Sequence, residues 1–83
     1  MLNIGIIGAG DGGASILETF LAMEDVKILG VCDKNKKAPG ILKAKENKIA
    51  VYDDFNDLLA IKREKVILEV TGNNKLSEMV KEA

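Results

Sequence analysis

Eighty-three residues suffice for one domain with one core, and we read 1–83 as a single unit. Apolar residues make up 47% and charged residues 30%, the balance of a globular protein rather than of a disordered tail. A net charge of −1 without a basic stripe argues against nucleic-acid binding, and short apolar runs argue against membrane contact, so a cytoplasmic chain is expected.

The chain opens with Leu2–Ile7, an Ile-rich run ending at glycines, which predicts a buried strand. Over 13–23 the period becomes helical, with Ile16, Leu17, Phe20 and Leu21 on one face and Ser15, Glu18 and Thr19 on the other. Residues 27–32 form a second apolar run, in which Cys32 reads as a buried packing thiol. It is the only cysteine, so no internal disulfide can form. Pro39 suits the first position of a short helix, where its missing N–H is not needed, with Ile41 and Leu42 on the apolar side. A third strand is expected over 49–52. Asp53 and Asp54 then offer capping carboxylates to a helix whose Phe55, Leu58 and Leu59 share a face. Residues 66–70 make a fourth strand, Thr71-Gly72-Asn73-Asn74 a turn, and Leu76, Met79 and Val80 mark a final helix.

Strands separated by helices imply an α/β fold with right-handed crossovers. We therefore expect a Rossmann-like doubly wound parallel sheet of four strands, order 3-2-1-4, with flanking helices. A complete fold of this kind has about six strands. Four make a minimal or truncated domain whose fourth strand is an open edge, to be covered by self-association or by a further C-terminal part.

Gly8-Ala9-Gly10-Asp11-Gly12-Gly13 matches G-x-G-x-x-G, with a strand before it and a helix after it. Gly8 permits the tight turn, Gly10 lets the backbone approach a pyrophosphate, and Gly13 lets the helix pack closely on the sheet. The free N–H groups at the helix start then bind the phosphate charge. Asp33 stands twenty residues beyond Gly13, where a carboxylate accepts hydrogen bonds from the adenosine ribose. It would repel a 2′-phosphate, so NAD is expected over NADP, with Lys34, Lys36 and Lys37 softening that repulsion. Asp11 goes against the pattern. It either points outward or caps the helix starting near Gly12.

Ile4-Gly5-Ile6-Ile7-Gly8-Ala9-Gly10, Gly30-Val31-Cys32-Asp33, Val51-Tyr52-Asp53-Asp54-Phe55 and Glu69-Val70-Thr71-Gly72-Asn73 resemble two kinds of NAD(P)-binding domain. These are the cofactor halves of homoserine-dehydrogenase-like and glucose-fructose-oxidoreductase-like enzymes. The resemblance implies that Thr71, Gly72 and Asn73 lie beside the nicotinamide end of the cofactor. Those enzymes carry their catalytic Lys, His or Asp in a second α/β domain. This chain has no histidine, and Glu69 or the Asp53-Asp54 pair is no substitute, so no residue here is assigned a catalytic role or a metal. The stretch Asp33-Lys34-Asn35-Lys36-Lys37-Ala38-Pro39-Gly40 also resembles the small Rossmann modules at the front of some bacterial sensor kinases, chemotaxis receptors and transcriptional activators.

Three readings follow. The first is an NAD(H)-binding regulatory or sensory module that reports nucleotide state to an attached domain. The second is the cofactor-binding N-terminal part of a two-domain NAD-dependent oxidoreductase. The third is a binder of another adenosine ligand such as S-adenosylmethionine, since Gly8-Ala9-Gly10-Asp11-Gly12 also fits G-x-G-x-G. Against the third, Ile6 and Ile7 stand where methyltransferases usually carry an acid.

Overall fold

The computed structural model describes residues 1–70 in full and the backbone of 76–82. The elements run β1 (Leu2–Ile7), α1 (Asp11–Leu21), β2 (Val26–Cys32), α2 (Pro39–Glu46), β3 (Val51–Tyr52), α3 (Phe55–Leu59), β4 (Lys65–Val70) and β5 (Leu76–Glu82). They build one sheet in the order β3-β2-β1-β4-β5. The first four strands are parallel and stand in the expected 3-2-1-4 order.

Alternation along β1 divides the core. Ile4 and Ile6 point to the side covered by α1 and α2, where they pack with Leu17, Ile41, Ala44 and Val31. On the opposite face a smaller cluster of Cys32, Leu58 and Ile67 forms under α3, with Ile7 and Tyr52 packed against it. Both faces are therefore covered, as a parallel sheet requires. Gly5 and Gly30 face this second cluster, and a Cβ at either would meet Leu58 at 3.0 Å. Their missing side chains let α3 lie against the sheet.

Three apolar residues assigned to helix faces, Leu21, Leu42 and Phe55, are exposed. Leu42 is 48% accessible because the buried side of α2 is made by Gly40, Ile41 and Ala44, and Leu21 closes α1 at 40%. Asp54 does cap α3, its side chain accepting from the Asn56 N–H at 2.9 Å.

The final helix expected around Leu76, Met79 and Val80 is instead β5, antiparallel to β4 with Lys65 opposite Glu82 and Val70 opposite Leu76. Three apolar residues at helical spacing do not outweigh an unpaired strand edge. A seven-residue helix bears the full cost of nucleation, whereas β4 offers a row of N–H and C=O groups that need partners. The fourth strand thus has no open edge, and the sheet ends at β5 and at the two-residue β3.

Candidate functional site

The site grows from the C-terminal ends of β1 and β2. Gly8 leaves β1 with φ of 99°, a conformation side chains rarely adopt, and its N–H donates to the Cys32 carbonyl at 2.8 Å. A Cβ on Gly8 would run into the Val70 carbonyl oxygen, so the turn is squeezed between β2 and β4. This is where the strand order reverses, the place where open α/β sheets bind ligands.

Gly10 is the N-cap of α1 and Asp11 its first residue, so Asp11 is not the cap. Its exposed carboxylate sits in the first turn, where the helix dipole favours negative charge. Ala14 N–H is taken up by the Gly10 carbonyl at 2.8 Å, and the N–H groups of Asp11, Gly12 and Gly13 precede the first intrahelical acceptor. Gly13 is buried. The contact that demands glycine there is with the Gly8 carbonyl of the loop, rather than with the sheet as expected. Gly10 differs: it is exposed, and a Cβ there would meet nothing within 4 Å.

Asp33 lies across from the loop and grips it. Its Oδ2 accepts the Ala9 N–H at 2.8 Å, and its Oδ1 accepts the Asn35 N–H at 2.8 Å. A carboxylate offers about four acceptor positions, so two remain for a ligand's hydroxyls. Beside it opens a cleft of about 780 Å³, floored by Ile7, Gly8 and Cys32 and walled by Asp33, Lys34, Asp53, Asp54 and Phe55. The volume falls within the usual range for small-molecule sites.

Of the residues singled out from sequence, Gly8, Asp33 and Lys34 line this cleft, and Ala9, Gly10, Asp11, Gly12 and Gly13 form the adjoining loop and helix start. Thr71, Gly72 and Asn73 lie outside the described residues. Asp53 and Phe55 were assigned only to a cap and a helix face, yet both line the cleft, Phe55 with half its surface exposed. A large apolar residue directly after a capping pair was the one local sign of this. Among the described residues no group of His, Cys, Asp and Glu could hold a metal ion, and no helix is long and apolar enough to cross a membrane.

Cys32 is buried, as expected of a packing thiol. Burial pushes its pKa up, and the charges of Asp33, Asp54, Asp53 and Asp57 push it further. The folded thiol should therefore react slowly with iodoacetamide at mildly alkaline pH and quickly once the chain is unfolded in urea. Equal rates in both states would contradict this burial. Because the unfolded chain loses the proton first, stability should fall as pH rises through and above the ordinary thiol range.

A family model described as homoserine dehydrogenase, NAD binding domain, matches residues 8–83. A glycosyl hydrolase family 109 protein of Saccharopolyspora erythraea is 40% identical over 67 residues, an alignment covering 70% of this chain. The chain spans only 15% of that relative's length. No solved structure matches.

Proposed function

The chain belongs to the homoserine dehydrogenase NAD-binding domain family, and from that premise we propose that it holds NAD(H) at the glycine loop. In this reading the pyrophosphate lies over Gly10 and the N–H groups of Asp11, Gly12 and Gly13. The adenosine ribose takes the two free acceptor positions of Asp33, and the adenine enters the cleft between Lys34 and Phe55. The observation that carries the proposal is Gly10, where a glycine stands exposed with open space in place of its side chain. Packing demands no glycine at that position, whereas close approach by a phosphate does. When bound, the dinucleotide supplies a nicotinamide for hydride transfer, and this chain's residues bind and orient it. Thr71, Gly72 and Asn73 keep their assignment to the nicotinamide end.

NAD is the preferred form in this proposal. Asp33, Asp53 and Asp54 all line the cleft, against Lys34 alone. Three carboxylates suit ribose hydroxyls and repel a 2′-phosphate. Asp33→Ala is expected to weaken NADH binding at least about 10-fold, the scale of losing even one of its two charge-assisted hydrogen bonds to the ribose, and to narrow the gap between NAD and NADP. Unchanged relative affinities in parallel titrations would count against the ribose role.

As a regulatory module, the domain would pass nucleotide occupancy to an attached output domain in the cytoplasm, without turnover of its own. A second reading has its own support. The S. erythraea relative carries the matching segment within a much longer chain, and the matching family model is named for the NAD-binding domain of a dehydrogenase; together they favour the cofactor-binding part of a larger oxidoreductase. Calorimetric titration with NAD⁺, NADH, NADP⁺ and S-adenosylmethionine tests what the two share. NAD⁺ or NADH should bind at least about tenfold more tightly than the others, and binding by none of them would sink the proposal. Following nicotinamide absorbance with the full-length gene product then separates a sensor from an enzyme.

A further inference from the structure

Ala9, in the middle of the glycine loop, has no exposed surface, and both its backbone polar groups are held by one segment of chain. Its N–H donates to Asp33 Oδ2 at 2.8 Å, and its carbonyl accepts the Gly40 N–H at 2.7 Å. Asp33 and Gly40 lie at the two ends of the β2–α2 connection. That connection is itself braced. Asp33 Oδ1 accepts from Asn35 N–H at 2.8 Å, Asn35 Oδ1 from Lys37 N–H at 3.0 Å, and the Asn35 carbonyl from Ala38 N–H at 3.0 Å.

Pro39 opens α2 without an N–H, so Gly40 carries the first donor of that helix. The donor is spent on the loop. No side chain fits beside it, because a Cβ on Gly40 would stand 2.9 Å from both the Cβ and the carbonyl oxygen of Ala9. Something must move to admit even a methyl group, and the nearest atoms include loop backbone.

We propose that Gly40 is the positioning residue of the glycine loop. Through Ala9 it holds Gly10 and the start of α1 in the arrangement that meets a pyrophosphate, although it touches no ligand. Its effect on affinity rests on the dinucleotide reading above; its hold on the loop does not.

Gly40→Ala tests the proposal, read by amide hydrogen exchange and by NADH titration. Exchange at the Ala9 amide should speed up about tenfold or more, while Val31 in β2 keeps its rate. NADH affinity should fall by a similar factor. Adding Ala9→Gly removes one of the methyl groups that collide, so the double variant should recover part of both. It also provides a folded protein if Gly40→Ala alone does not fold. An unchanged Ala9 rate with unchanged affinity would overturn the proposal, as would equal acceleration at Ala9 and Val31, the mark of general destabilisation. If the wild type bound no NADH while the Ala9 amide still responded to Gly40→Ala alone, Gly40's hold on the loop would stand. The dinucleotide reading would then fall by itself.

Discussion

Gly10→Val is expected to abolish NAD(H) binding, more than about 100-fold in Kd, while the domain remains folded. The position is exposed, and an added Cβ meets no neighbour within 4 Å. Its backbone, at φ −69° and ψ −160°, is extended and lies outside the left-handed region that favours glycine. The structural cost is the loss of a tolerated glycine cap, about 1 kcal/mol, or roughly 4–8 °C in Tm for a domain of this size. The binding cost is larger because the isopropyl group fills the space where a phosphate must reach the N–H groups of α1. Calorimetric titration beside a thermal melt separates the two. Wild-type affinity in this variant would remove the loop from the site altogether.

Gly13→Leu should fail in the opposite way, by unfolding the domain. A Cβ at Gly13 would overlap the Gly8 carbonyl oxygen and stand 2.9 Å from its carbon, so the collision is with backbone held by its own hydrogen bond to β2. Backbone cannot swing aside as a flexible side chain can. The loss should reach about 3 kcal/mol or more, a large part of what a small domain has. Even Gly13→Ala meets the same atoms and should lower the urea midpoint clearly. If Gly13→Ala kept wild-type stability and lost only NADH binding, the missing side chain of Gly13 would make room for the ligand and the packing argument would be wrong. The two glycines share one motif, yet a side chain at Gly13 would collide with the fold itself and one starting at Gly10 would begin in open space.

That division was invisible in the motif. G-x-G-x-x-G specifies where side chains are missing, but not which atom each would have met. Gly13 proves to lie against the loop carbonyl of Gly8, a contact five residues away, and only three-dimensional placement identifies it. Asp33 shows the same limit. Its spacing from the loop was legible because strand, turn and helix lengths are set locally. Its grip on the Ala9 N–H depends on where β2 and β1 bring the chain together across 24 positions.

By itself, the sequence determined most of what short-range patterns and the crossover rule govern. It specified four parallel strands in the order 3-2-1-4, the glycine loop between β1 and α1, the acid after β2 and the Asp54 cap. Strand and helix periods, turn residues and caps act over a few residues, so they can be read along the chain. Tertiary structure decided the rest. It turned the segment with Leu76, Met79 and Val80 into β5, since pairing with β4 outweighs a weak helical period. It drew Phe55 and Asp53 to the wall of the cleft, and it set Gly40 against Ala9. These outcomes depend on hydrogen-bond partners and free volume supplied by residues distant in sequence, which no local pattern encodes.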